Sequence, residues 1–231
     1  MENKTVILFF ARTAAAEMRH KKLCNKGNTV NSQLHLFLYK KTLAEIYKSE
    51  LPFIVYHQDN QIGNDFGTRY NNAIKDCFSK GYNSVIAIGS DCPQLKAADI
   101  LFSHQQLIKG NNVLGPDNRG GIYLMGIQQK QFANINLKNI KWHSKLVFSQ
   151  LQSGFASLSE TTFFLHKLND VNVEKDILKL IKQYAKNIFV EILQQIIFGT
   201  RLSFSFFFHY YKQFLYLNNT TFRGPPALLF I

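Results

Sequence analysis

The chain has 231 residues, of which 46% are hydrophobic and 18% are charged. This length and composition exclude a disordered or fibrous protein and allow one α/β domain with an appendage, or two small domains. The formal net charge of +12 favours anionic partners such as nucleotides, nucleic acid or an anionic membrane surface, without choosing among them. The three cysteines show neither CxxC nor Cys/His spacing, so they predict no disulfide framework and no zinc site, and a reducing cytosol fits them best.

The apolar periodicity alternates between that of strands and that of helices. The first apolar run ends before Arg12 without a small-residue cleavage site, so we interpret it as a strand and not as an export signal. The predicted strands are residues 5–11, 53–57, 85–89, 113–115, 122–127 and 162–165. The predicted helices are residues 34–48, capped by Asn31 or Ser32, and residues 66–80, 97–109, 144–153 and 173–186. Strands separated by helices predict an α/β fold with a mainly parallel, helix-covered sheet.

The composition changes after Lys186, where aromatic and aliphatic residues dominate. We therefore predict one domain over residues 1–186 and an aromatic C-terminal extension over residues 187–231. Polar residues interrupt every window of the extension long enough to cross a bilayer, which needs about 20 mostly apolar residues, so no transmembrane span is predicted. Three roles remain for the extension, in this order: packing on the main domain, pairing subunits into a homo-oligomer, or peripheral contact with a membrane through Arg201 and Lys212.

Asp91 follows an apolar run that is typical of a strand buried on both faces. In open α/β sheets the ligand crevice lies at the carboxyl ends of the strands. We therefore expect Asp91 to face a bound group. The alternative is an Asx turn that only caps the loop at Pro93.

Two segments around this position resemble the paired signature of a known family. Residues 83–95 read NSVIAIGSDCPQL, and residues 111–127 read NNVLGPDNRGGIYLMGI. They are similar to a bacterial glycosyltransferase-like family with the GT-A fold, whose members are often described as selenodomain- or radical-SAM-associated transferases. That family is distantly similar to molybdenum-cofactor guanylyltransferases. Residues 62–74 and 170–178 resemble further segments of the family, so the resemblance covers roughly residues 5–186.

The resemblance implies a GT-A, nucleotide-diphospho-sugar transferase-like fold and a cytoplasmic enzyme that uses a nucleotide-sugar donor and an unknown acceptor. It places Asp91 at the metal-binding position and Asp170 at a second acidic position. The implied metal is Mg or Mn, because a hard divalent cation held by carboxylates neutralises the leaving phosphate. For Asp170, a solvated loop residue or a helix cap is an equal alternative.

The chain departs from the family after the first strand, where the family has a glycine- and proline-containing nucleotide loop. Here the segment reads RTAAAEMRHKKLC, and its basic residues keep the positive charge that a diphosphate needs. These predicted donor-binding residues are Arg12, Arg19, Lys21 and Lys22. An ordinary solvated loop is the alternative. The missing glycine-rich loop argues against the close variant of this function, a nucleotidyltransferase.

A second departure precedes the glycine pair, where Arg119 replaces an acidic residue of the family. Its guanidinium suits phosphate or carboxylate, so we predict a catalytic role for Arg119, with Asp117 as the candidate general base. Gly120 and Gly121 allow a close backbone approach and are expected to shape the ligand pocket; a hairpin or bulge role is the alternative. His143 falls near the family's pocket, or else only starts a helix.

The departures also support a function of another class. The alternative function is that of a catalytically degenerate domain that binds a nucleotide or another anion, or that of an assembly module that uses its aromatic extension. Nucleic-acid binding is not predicted, because the basic residues are dispersed and no recognition motif is present.

Overall fold

The computed structural model describes residues 4–158, 161–184 and 188–199. These residues fall into two compact units, the first ending at Leu178 and the second beginning at Lys179. The domain boundary predicted after residue 186 lies outside the described residues and stays a prediction, as does the role of residues 200–231. No helix in the described part of the chain is long and apolar enough to span a membrane.

The described chain alternates strands and helices, as the periodicity predicts. The strands are β1 (Thr5–Phe10), β2 (Phe53–Tyr56), β3 (Ser84–Ile88), β4 (Asn112–Pro116), β5 (Ile122–Gln128) and β6 (Thr162–Phe164). The helices are α1 (Ala14–Glu17), α2 (Asn28–Lys48), α3 (Phe66–Ser79), α4 (Ala97–Ile108), α5 (Gln129–Phe132), α6 (Val147–Ala156), α7 (Glu174–Gln183) and α8 (Ile188–Phe198), with a 3-10 turn over Leu137–Asn139. Helix α8 lies within the segment predicted as an aromatic extension.

The six strands form one sheet in the order β2-β1-β3-β5-β4-β6. All pairings are parallel except those of β5, which runs antiparallel to both β3 and β4. The predicted α/β fold with a mainly parallel, helix-covered sheet is therefore confirmed. The carboxyl ends of β1, β3 and β4 point to the same edge of the sheet, where ligands bind in open α/β folds.

Helices cover both faces of the sheet, because alternate residues of the central strands are apolar on both sides. Val6 and Leu8 of β1 pack with α3 and α6 in one core, whereas Ile7 and Phe9 pack with α2 and α4 in the other. All residues of β1 and β3 are buried. The continuous apolar run that marks a strand buried on both faces is thus explained by this arrangement.

Two helices, α2 and α6, have boundaries that differ from the prediction. Helix α2 begins at Asn28, so Asn31 and Ser32 lie inside it and cap nothing. Instead, the buried Asn31 Oδ1 accepts hydrogen bonds from the backbone N–H groups of Leu23 (2.7 Å) and Cys24 (3.0 Å). The polar first turns of α2 hide its apolar stripe, which is why the periodicity misses them.

Helix α6 begins at Val147 and continues through Gly154 to Ala156, so the predicted start at residue 144 and the predicted stop at Gly154 are wrong. A glycine ends a helix only where the chain turns into the left-handed region, and Gly154 does not.

Candidate functional site

A cavity of about 1110 Å³ opens at the sheet edge formed by the ends of β1, β3 and β4. Seven of the predicted site residues line it: Arg12, Lys21, Asp91, Asp117, Arg119, Gly121 and Asp170. Arg19, Lys22 and Gly120 do not line it, and Arg19 and Lys22 are exposed. Residues far apart in the chain therefore meet at one place, as the carboxyl-edge argument predicts.

Asp91 forms an ion pair with Lys21, whose Nζ lies 2.9 Å from Asp91 Oδ2. The Lys21 side chain is only 13% exposed, and its Nζ is buried without a hydrogen bond of ordinary geometry to the described residues. Helix α2 positions this lysine, since His35 Nε2 lies 2.8 Å from the Lys21 carbonyl oxygen and Asn31 holds the following residues. A buried ammonium that is incompletely satisfied suits an additional anionic ligand.

Asp170 reaches the same place from the segment after β6. The Val171 N–H donates to the Asp91 carbonyl oxygen (2.9 Å), which ties this segment to the end of β3. The Cys92 thiol donates to Asp170 Oδ1 (2.9 Å), and burial raises the pKa of this thiol well above its usual value. Cys92 is therefore a protonated donor beside the site and not a nucleophile, because nucleophilic attack requires the thiolate.

The charge state of Asp170 is set by its surroundings. Burial, together with the negative charges of Asp91 and Asp117, raises the pKa of Asp170 to about 6. Three carboxylates thus approach one another at the cavity, with Lys21 as a nearby cation. Such a cluster is electrostatically unfavourable by itself and is relieved by a positive ligand.

Asp117 and the glycine pair form the turn between β4 and β5. Asp117 is 6% exposed, and its Oδ1 accepts hydrogen bonds from the N–H groups of Arg119 (2.6 Å) and Gly121 (2.9 Å). Gly120 has φ of 87°, and a Cβ there would clash with the Lys145 carbonyl oxygen. The structure therefore gives Gly120 a role in shaping the turn, which is the alternative that the sequence left open.

Besides Lys21, two of the predicted cationic residues have carboxylate partners. Arg119 pairs with Asp176, whose Oδ2 accepts from the N–H groups at the start of α7. Arg12 Nη1 lies 3.0 Å from Oε2 of Glu17, which also lines the cavity. Their charges are partly balanced, as that of Lys21 is by Asp91. Lys21 differs from both arginines because its buried Nζ makes no hydrogen bond of ordinary geometry to the described residues, which leaves capacity for an anion.

Sequence reasoning missed several residues of the cavity. His20, Gln61, Phe66 and Tyr70 line it. His143, which the resemblance places near the pocket, also lines it, together with its neighbour Trp142. Phe66 and Tyr70 belong to the segment 62–74 that resembles the family, but their spacing by itself predicts only the apolar side of the helix over residues 66–80. The same two aromatic residues therefore both pack the helix against the core and line the cavity, and helical periodicity reports only the packing.

The donor set of the cavity fits a hard cation that also binds phosphate. No group of three or more histidine, cysteine, aspartate or glutamate side chains in the described part of the chain has the geometry of a metal site. Mg²⁺, however, is commonly bound by one or two carboxylates together with substrate phosphates. Asp91 and Asp170 supply two carboxylates at a place where a positive charge relieves repulsion.

Replacing Asp170 by asparagine is expected to stabilise the ligand-free protein in a pH-dependent manner. The folded-state pKa of Asp170, about 6, lies above its ordinary value of 3.8, so the folded state retains a proton that the unfolded state releases, and stability falls as pH rises through this window. Asparagine avoids this cost, which amounts to about 3 kcal/mol at roughly pH 8 and to less than about 1 kcal/mol at roughly pH 4.

Denaturant unfolding at both pH values measures this gain, with the exposed Asp59→Asn as a control. A gain that is equal at the two pH values would contradict the electrostatic explanation.

Comparison with known proteins identifies both a family and a fold. The model of a family described as "Uncharacterized protein conserved in bacteria (DUF2064)" matches residues 23–144. A solved "putative nucleotide-diphospho-sugar transferase" from Desulfovibrio desulfuricans G20 is similar in structure, with a TM-score of 0.66 and 18% identity over 87% of this chain and 100% of that chain. At this identity the likeness shows the fold alone. No curated protein sequence matches the chain.

Two nucleotidyltransferase structures are more distant. A cytidylyltransferase from Leptospira borgpetersenii serovar Hardjo-bovis has a TM-score of 0.46 and 10% identity, over 94% of this chain and 98% of that chain. A CMP:2-keto-3-deoxy-manno-octonic acid synthetase complexed with CTP has a TM-score of 0.43 and 12% identity, over 79% and 99% respectively. These similarities are too low to support a conclusion about this chain.

Proposed function

The chain belongs to the DUF2064 family, whose model matches more than half of its residues, and from this premise we propose that it is a metal-assisted glycosyltransferase with a nucleotide-sugar donor. One observation carries the proposal. Lys21, Asp91 and Asp170 meet in a single cavity at the carboxyl edge of a nucleotide-diphospho-sugar transferase-like sheet. A cytoplasmic location and an unknown acceptor belong to the same proposal.

The donor phosphates would bind beside Lys21, with Arg12 as a second cationic group. Lys21 is positioned by α2 and has unused hydrogen-bonding capacity. It can therefore bind a phosphate in addition to its ion pair with Asp91. A bound Mg²⁺ or Mn²⁺, held by Asp91 and Asp170, would supply electrostatic stabilisation of the charge that develops on the leaving diphosphate. The protein's own contribution is to orient the donor and to hold the carboxylates in place.

The acceptor would approach from the turn between β4 and β5. The Gly121 backbone lies in the cavity wall, and the Arg119 guanidinium lies at its rim with its charge shared by Asp176. As the general base, Asp117 would act through Oδ2, because Oδ1 already accepts two backbone N–H groups. Its first role is to hold the turn.

A binding module without catalysis is the second candidate function. It is favoured by the ion pairs of Arg12 and Arg119 with carboxylates, and by the pairing of Asp91 with Lys21. In this case a nucleotide or another anion would bind at Lys21 without being converted. A nucleotidyltransferase would use the same two carboxylates, but the segment after β1 forms the short helix α1 in place of a glycine-rich loop.

Thermal-shift measurements with nucleotide sugars and nucleoside triphosphates, each with and without Mn²⁺, test the proposal. We expect stabilisation by a nucleotide sugar that requires Mn²⁺, and slow release of its nucleoside diphosphate, because water replaces the missing acceptor. Stabilisation without any dependence on metal would support the binding module. No response to any nucleotide would refute the transferase and would favour a module that binds another partner. Conversion of a triphosphate with release of pyrophosphate would support the nucleotidyltransferase.

A further inference from the structure

Four ring side chains meet along one side of the cavity: Phe66, Tyr70, Trp142 and His143, which we call the aromatic corner. The ring centroids of Phe66 lie 5.0 Å from those of both Trp142 and His143, and Tyr70 lies 5.3 Å from Trp142. All four line the same cavity as Lys21 and the carboxylates. Contacts among rings are common in cores, so the groups that remain unpaired decide whether the corner also binds a ligand.

The Tyr70 hydroxyl is such a group. Tyr70 is 6% exposed, and its hydroxyl has no hydrogen-bond partner among the described residues. The hydroxyl of a largely buried tyrosine normally finds a partner, and this one is not among the fully buried unpaired atoms, so it is open to a partner from the cavity. Burial raises the pKa of Tyr70, so the hydroxyl stays protonated and can donate. Since Tyr70 lines the cavity, a hydrogen-bonding group of a ligand would satisfy it.

The rest of the corner is held in place. Trp142 Nε1 donates to the Leu137 carbonyl oxygen (2.8 Å), and a Cβ at Gly67 would lie only 2.7 Å from that Nε1. His143 is exposed and has φ of 62°, a conformation that is strained for a residue other than glycine. Such strain clusters at ligand sites, because the surrounding structure must enforce it.

The aromatic corner packs on one face of the sheet, whereas Cys92, the residue that donates to Asp170, packs on the other. Tyr70 and Trp142 belong to the core beneath α3 and α6, whereas Cys92, between Asp91 and the next loop, belongs to the core beneath α2 and α4. We therefore expect the ligands that fill the cavity to place an anionic group near Lys21 and a ring near the aromatic corner. The loop that carries His143 also packs on the turn of Gly120.

We propose that the aromatic corner binds the acceptor and that the acceptor carries a six-membered, hydroxylated ring, either a pyranose sugar or a phenol. This inference rests on the proposed transferase function, which places the acceptor at the neighbouring turn. The ring face would stack on Phe66 and Trp142, and a hydroxyl group of the ring would bond to Tyr70 and His143. The aromatic side chains offer an apolar surface to either ring, and the tyrosine hydroxyl adds a polar group beside it.

Trp142 provides a direct test because it is the chain's one tryptophan. Its emission would be followed while the full chain is titrated with methyl glycosides, with simple phenols and with the four common ribonucleosides. We expect a saturable change with one of the two hydroxylated-ring panels and none with the nucleosides. Tyr70→Phe keeps the ring but removes the hydroxyl, and it should weaken binding about tenfold, as expected for one hydrogen bond.

Tyr56→Phe is the matched control. Tyr56 is also 6% exposed and packs in the same core, but its hydroxyl donates to Asp76 and it does not line the cavity. Its titration should equal that of the wild type. No response to either ring panel, a response to nucleosides alone, or an unchanged affinity in Tyr70→Phe would each overturn the inference.

The titration needs neither nucleotide nor cation, so it is separate from the test of the proposed function. A chain that binds a nucleotide sugar with Mn²⁺ but no ring probe refutes this inference alone. A chain that binds a ring probe but no nucleotide sugar refutes the proposed function, and with it the assignment of the ring to an acceptor.

Discussion

Replacing Asp91 by asparagine is expected to abolish the Mn²⁺-dependent stabilisation by a nucleotide sugar and to lower turnover by about 100-fold or more, because the site loses a carboxylate that holds the cation. Asparagine has nearly the same shape, so the loss would come from charge. Calorimetric titration of Mn²⁺ in the presence of donor measures the effect without requiring turnover.

The same substitution has an electrostatic signature in the ligand-free protein. Lys21 would lose its counter-charge, and the pKa of Asp170 would fall towards its ordinary range, since Asp91 is one of the causes that raise it. Asp59→Asn, an exposed substitution away from the cavity, should change neither property. Undiminished Mn²⁺ binding in Asp91→Asn would remove Asp91 from the metal site.

Gly120→Ala is expected to destabilise the protein by about 3 kcal/mol or more, because it combines a strained backbone with a steric clash. Gly120 has φ of 87°, and its new Cβ would clash with the Lys145 carbonyl oxygen. The turn would have to shift, and with it Gly121 and the two hydrogen bonds to Asp117 and the neighbouring strand ends. Denaturant unfolding of the purified variant measures the loss.

Gly110→Ala separates the two causes. Gly110 has nearly the same φ, 90°, but nothing lies within 4 Å of its would-be Cβ. This variant should lose only about 1 kcal/mol, which is the cost of the backbone conformation. Equal losses in the two variants would show that the contact with Lys145 is unimportant.

Much of the fold follows from local patterns in the sequence. The predicted strands are confirmed within one or two residues at their ends, and the helices after β2, β3 and β6 begin at or next to the predicted residue. The errors occur where local and tertiary requirements differ. Asn31 has the side chain of a helix cap, but the structure uses it inside α2 to hold the segment of Lys21.

The site could be predicted only in outline. A carboxylate after a buried strand indicates the ligand edge of the sheet, which is why the sequence predicts Asp91 as a site residue. The neighbours Lys21 and Lys22 cannot be distinguished in the sequence, yet only Lys21 lines the cavity. Likewise, the role of Gly120 depends on Lys145, and the role of Arg119 depends on Asp176.

The sequence by itself determined the order of strands and helices and the carboxylate at the end of β3, because burial on both faces of a sheet demands continuous apolar runs that are visible in one dimension. The tertiary structure alone decided the antiparallel placement of β5, the pairing of Asp91 with Lys21 and the meeting of Tyr70 with Trp142. These contacts join residues that are distant in the chain, and their energy depends on how whole elements pack, which no local pattern records.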